Sequence, residues 1–230
     1  MLISAAILLL SANSLKSAGA QQAEIIVNPP NRTVATVPSK ERPAPNLSSK
    51  NSGSKQFVDK VSLPMLAKEA ISIHFHESKY HSLNELLAAT PVCADYRQPV
   101  GLFVTLSRGG KTRACWGSIN PKGWNQVEAT IRTTEEALTK EYRFPRVRED
   151  EWPKLKAQVT IIRGLEAISN IYQQNALKYG LMVRSGGKGA VLLPGEASDA
   201  HYQLVLTKLK AGIPVEQPCQ IYRIRADVYK

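Results

Sequence analysis

The sequence is poor in residues that staple a fold covalently or hold a metal. Three cysteines in 230 residues exclude a disulfide-rich scaffold and a four-cysteine zinc site. Only four histidines are present, His74, His76, His81 and His201. The first two are two residues apart, so a helix would point them in different directions and they cannot form a helical metal pair. No metal or cofactor is expected. No apolar run approaches the ~20 residues that a bilayer span requires. Fourteen glycines and fourteen prolines are ordinary loop punctuation and exclude collagen-like or wholly disordered chains. The G-x-x-x-x-G-K-[ST] phosphate loop is missing, and Gly186-Gly187-Lys188-Gly189 reads as a turn instead. A helix-turn-helix, a serine nucleophile elbow and paired catalytic carboxylates at helical spacing are also missing. Specific nucleic-acid recognition is not expected.

What is present begins with an export signature. Leu2 to Leu10 is an uncharged, mostly apolar run, followed by Ser17-Ala18-Gly19-Ala20, an A-x-A pattern of the kind cut by signal peptidase. Residues 1–20 are expected to be a secretory signal cleaved near Ala20, leaving a secreted or periplasmic protein. Residues 21–55 carry Pro29, Pro30, Pro38, Pro43 and Pro45, then Ser48, Ser49, Ser52 and Ser54 around Gly53. Such a stretch buries too little surface to offset the entropy of ordering it, and reads as a tether. The formal net charge is +11, so weak association with anionic envelope surfaces is expected.

Residues 56–230 read as one α+β domain. Leu63, Leu66, Ala67, Ala70, Ile71 and His74 recur at helical spacing after Ser62 and Pro64. Leu83 to Ala89 is a second short amphipathic piece. Gly101 to Leu106 and Thr112 to Ile119 read as strands joined at Gly109-Gly110, glycines that supply the positive φ of a tight hairpin turn. Trp124, Val127, Ile131, Thr134 and Leu138 share a helical face. Ala157, Val159 and Ile161 alternate as a strand. Gly180–Arg184 and Ala190–Leu193 form a further hairpin, and Asp199 can cap a helix carrying Leu204, Val205 and Leu209. Tyr222, Ile224, Ala226 and Val228 alternate with Arg223, Arg225 and Asp227 in a last strand. Hairpins interrupted by helices, without regular βαβ repetition, predict a mostly antiparallel sheet with flanking helices.

Gly101-Leu102-Phe103-Val104-Thr105-Leu106, followed by Arg113-Ala114-Cys115-Trp116-Gly117-Ser118, resembles the signature of the AMMECR-type domain family, named for the AMME chromosomal-region candidate protein. Further blocks fall in the family's order. They are Arg143-Phe144-Pro145, Gly180-Leu181-Met182-Val183, Leu192-Leu193-Pro194 and Lys210-Ala211-Gly212-Ile213-Pro214, with Tyr222 in the closing strand. The resemblance spans about residues 58–229. It implies an α+β fold with a larger and a smaller lobe around a cleft, into which the Cys115 strand points. It nominates Arg113, Cys115 and Gly117 as site residues, with Arg143 and Phe144 beside them; Trp116, read by its own residue type, is core or cleft lining. The resemblance supplies a place but no reaction. Ala114 stands where the motif has glycine, Trp116 where it has a smaller aliphatic residue, and Arg146 where it has a second proline. Residues 195–202 lack the glutamine and tryptophan usual after L-L-P.

On a regular strand Arg113 and Cys115, at i and i+2, would project from the same face and set a cation beside the thiol. Two functions follow. One is a binding domain that holds a small anionic ligand or a partner segment in a cleft bordered by Arg113, Cys115 and Trp116. The other is a thiol enzyme with Cys115 as nucleophile and Arg113 stabilising charge. A buried, space-filling cysteine is the plain alternative to both. Basic residues gather as Arg108, Lys111 and Arg113, and again as Lys140, Arg143, Arg146 and Arg148, either an anion-binding rim or a solvated face. The resemblance keeps Cys115 free, which leaves Cys93 and Cys219 as the pair that could bridge in an oxidising compartment.

Overall fold

The computed structural model describes residues 60–230. The expected signal, the tether and the first residues of the domain lie outside them. Helix α1 (Leu63–His74) starts where Pro64 suits the first turn, and α2 (Leu83–Ala89) starts where the Ser82 hydroxyl accepts from the Glu85 amide. Strands β1 (Leu102–Arg108) and β2 (Lys111–Ser118) turn on Gly109 and Gly110, with φ of 56° and 77°. Asn125 caps α3 (Gln126–Thr139), which leads through an irregular segment with a short 3-10 turn at Trp152–Lys154 to β3 (Lys156–Ala167). A second glycine-closed hairpin gives β4 (Gly180–Ser185) and β5 (Lys188–Leu192). Asp199 caps α4 (Ala200–Ala211), Gly212 ends it in the left-handed conformation, and β6 (Gln220–Tyr229) closes the domain.

The six strands form one sheet in the order β2-β1-β3-β6-β4-β5, with every neighbouring pair antiparallel. The α+β expectation holds. All four helices lie towards one face. The larger part is β1 to β3 under α1, α2 and α3, where Leu63, Ile71, Val104, Leu106, Ile131, Val159 and Ile161 are fully buried. Each such side chain contributes roughly 1.5–3 kcal/mol of burial. The smaller part is β4 and β5 under α4, with Leu181, Val183, Ala190, Ala211 and Ile213 between them.

The other face of the sheet is concave, and its residues show why. Cys115 and Ile119 come from the β2 end, Met182, Val191 and Leu193 from the β5 end, yet they pack in one buried cluster around Ile162 and Ile224. Strands at opposite ends of the order can meet only if the sheet curls towards closure. The space expected as a cleft between two lobes is therefore largely filled by this apolar cluster. What remains is a seam where the β2 edge approaches β5 and the turn after it. Among the described residues no helix is long and apolar enough to cross a membrane.

Candidate functional site

A single extra residue decides where the cysteine points. Counting back from the Gly109-Gly110 turn, a regular hairpin would set Cys115 opposite Val104, under the helices. Instead Ser107 pairs with Thr112 and Leu106 with Ala114, so Arg113 is the unpaired residue of a bulge. The bulge shifts the register by one and turns everything after it over. Cys115 now faces Thr105 on the concave side, and Trp116 faces Val104 and packs into the helical core.

The expected pairing of Arg113 with Cys115 is thereby corrected. Arg113 donates through Nε and Nη2 to the Glu151 carboxylate at 2.7 and 3.0 Å, and Arg108 approaches the same carboxylate at 3.8 Å. Residues two apart share a face only on an unbroken strand, and the bulge breaks it. Trp116 is also displaced from the cysteine's surroundings, since it lies on the opposite face. Gly117 stays beside Cys115, where a Cβ would collide with the Leu102 carbonyl oxygen and with Phe103. The two half-exposed thiols do not pair: Cys93 packs with the helical core and Cys219 with the α4 end, and all three cysteines are free.

Arg143 takes the place expected of Arg113. Its Nη2 donates to the Cys115 carbonyl at 2.6 Å and to Glu141 Oε2 at 2.5 Å, while its Nε and its peptide N–H donate to Glu141 Oε1 at 2.9 and 2.8 Å. Glu141 also accepts from the Cys115 peptide N–H at 3.1 Å. β2 is an edge strand, and one ion pair satisfies both outward backbone groups of one residue. The edge is thus closed to another strand at Cys115. Burial would raise the Glu141 carboxyl, but the hydrogen bonds from Arg143 and from the Cys115 peptide hold it below the usual carboxylate range. Phe144 lies under the Arg143 guanidinium, 5.9 Å from ring centroid to Cζ.

The sulfur itself is quiet. Cys115 is 9% exposed, and its sulfur is hydrogen-bonded to Thr105 Oγ1 at 3.3 Å. Burial pushes the thiol up, Glu196 adds to that, and Thr105, Lys210 and Arg143 pull against it without reversing it. Lys210 Nζ donates to the Val191 carbonyl at 2.7 Å, and Glu196 Oε2 accepts from the Leu193 amide at 2.8 Å. Val191 and Leu193 belong to the cysteine's own cluster. The seam thus gathers the R-x-C, R-F-P, L-L-P and K-A-G-x-P blocks around one thiol. A sequence model of the AMMECR1 family matches residues 64–230. The chain belongs to the AMMECR1 family.

This AMMECR1 domain is 34% identical over 139 residues to a protein of Thermotoga maritima, covering 59% of this chain and 80% of that one. A protein of Methanosarcina barkeri is 32% identical over 158 residues, covering 64% and 76%. The crystal structure of an uncharacterized protein from Pyrococcus horikoshii superposes with a TM-score of 0.58 at 24% identity. It covers 72% of this chain and 88% of that one, and shares the fold.

Glu141 and Glu196 lie outside the motif blocks, and their bonds to the Cys115 strand and to Leu193 show only in the folded chain; Thr105 lies within the Gly101–Leu106 block, but its contact with Cys115 depends on the register of β1 and β2. Lys210 had a sequence signal, its place in the K-A-G-x-P block. Most of the second basic cluster is matched by acids: Lys140 by Glu136, Arg143 by Glu141 and Arg148 by Asp150. Among the described residues no group of three or more His, Cys, Asp or Glu could hold a metal ion. His74 is paired to Glu135 at 3.1 Å, on the far side of the helical core from the cysteine's cluster.

Proposed function

We propose that this AMMECR1 domain is an exported, tethered binding module that receives an anionic group, on a small ligand or a partner segment, at the seam beside Cys115. The observation that carries the reading is Lys210. Its ammonium has no carboxylate partner among the described residues and donates to one carbonyl, so donors remain for an incoming anion. Arg143 stands on the other side of the same thiol, its charge committed to Glu141, and serves to fix the edge. Thermal-shift titration with carboxylates and phosphates tests the reading. Lys210→Ala should abolish a stabilisation that the wild type shows, and a panel in which no ligand separates the two proteins overturns it. Export is tested apart from binding, by fractionation and N-terminal sequencing of the mature chain.

The thiol-enzyme reading draws less support. A thiol pushed up by burial is largely protonated at neutral pH, and no histidine is among the groups that act on it. Site-resolved iodoacetamide labelling should modify Cys93 and Cys219 well before Cys115. Rapid labelling of Cys115 at neutral pH would restore the nucleophile.

A further inference from the structure

The β4–β5 hairpin and the chain entering β6 enclose an open depression of about 480 Å³, lined by Arg184, Ser185, Gly186, Pro218, Cys219 and Gln220 among others. Its walls are held in place. Gly186 and Gly187, with φ of 55° and 79°, make the two-residue turn that only glycine-like residues adopt easily. Lys208 Nζ donates to the Val215 and Gln217 carbonyls at 2.6 and 2.7 Å. The Gln217 amide donates to Ser185 Oγ at 2.9 Å, and that hydroxyl donates to the Pro218 carbonyl at 3.1 Å.

Two donors in this rigid frame are unused. Arg184 and Gln220 stand directly opposite each other across β4 and β6, on the concave face. The Arg184 guanidinium, half-buried, makes no hydrogen bond or ion pair among the described residues. Gln220 accepts the Tyr222 hydroxyl through Oε1 at 3.2 Å, which leaves its amide nitrogen to donate. No carboxylate lines the depression. The nearby cations Lys188 and Lys208 are bonded to backbone carbonyls, not to acids, so their charge is not cancelled locally. A guanidinium and an amide N–H converging in a concave site without a competing anion suit a compact oxyanion.

We infer that this depression is a second binding site, for a carboxylate or phosphate group on a small ligand, held by Arg184 with Gln220 as the second donor. It shares no residue with the seam, and stands whether or not the seam binds anything. The test is an NMR titration of the ¹⁵N-labelled protein with glutarate and with inorganic phosphate, at matched ionic strength. Saturable shifts are expected at the Gly186 and Gly187 amides and the Gln220 side-chain amide. Arg184→Gln should weaken binding about tenfold or more. Gln220→Glu, which sets a carboxylate opposite the guanidinium, should do the same. Arg146→Ala, an exposed cation elsewhere, and Lys210→Ala should leave the shifts unchanged. Saturation by one probe alone identifies the headgroup. The absence of saturable shifts with either probe into the tens of millimolar, or equal affinity in wild type and both site variants, overturns the proposal.

Discussion

Helices α3 and α4 cover the two ends of the same sheet and do so by opposite chemistry. α3 turns Val127, Ala129, Ile131, Ala137 and Leu138 inward against β1 and β2. Its buried Thr130 and Thr134 hydroxyls are satisfied within the helix, at the Gln126 and Thr130 carbonyls. α4 instead buries Gln203, Thr207 and Lys208, while Tyr202 and Leu209 face solvent, Leu209 at 60% exposure. The reason lies in what each helix covers. α3 covers mainly apolar strands and supplies one loop carbonyl, that of Asp95 through Gln126, whereas α4 covers more irregular chain whose carbonyls need donors: Gln203 supplies Tyr179, and Lys208 supplies Val215 and Gln217. One end is held mainly by apolar burial and the other depends on side-chain hydrogen bonds to loops.

The contrast can be broken by substitution. Ile131→Ala in α3 should cost about 2–5 kcal/mol in urea unfolding, from lost burial and a residual cavity. A smaller loss would mean that the helical end can collapse around the gap. Glu141→Gln should cost about 2–3 kcal/mol, since it removes the charge that Arg143 and the Cys115 peptide bond. Its pH dependence has a definite sign. The folded carboxyl sits below its ordinary value, so its contribution is present above the unfolded pKa of roughly 4.3 and fades as pH falls through the folded one. Wild type should therefore lose stability on acidification more steeply than Glu141→Gln. Parallel acid titrations would refute the clamp.

At the α4 end the effects should be smaller. Lys208→Met keeps the volume but strips the Val215 and Gln217 carbonyls of a charged donor, a loss of about 1–3 kcal/mol. Hydrogen exchange in residues 213–219 should rise with it, which a purely apolar helix contact would not cause. Leu209→Ser should change stability by no more than about 0.5 kcal/mol, because the side chain covers nothing. A larger loss, read by thermal unfolding, would show that the outer face of α4 is covered in solution.

How far each feature could be read follows from where its partners lie. The hairpins were legible because Gly109-Gly110 and Gly186-Gly187 carry their turn geometry themselves. The Asp199 cap was legible because it acts within one turn of chain. α3 was legible by periodicity, since its inward face is apolar. The inward face of α4 was not: Leu204 and Val205 are half-buried, Leu209 is exposed, and the buried residues are polar. The motif blocks contain both Cys115 and Arg143, which the fold sets side by side. They misplaced Arg113 and Trp116, because a bulge leaves no mark in composition.

The amino-acid sequence determined the elements, their order, the antiparallel class and the family, all of which rest on contacts within a few residues or on the alternation of apolar side chains. The tertiary structure alone decided which cation lies beside Cys115, that burial pushes its thiol up, and that the concave face around it is packed. Those outcomes depend on the curl of a six-stranded sheet and on one inserted residue in β2. Register and closure are properties of strands brought together from across the chain, and a one-residue shift there exchanges the two faces of everything that follows.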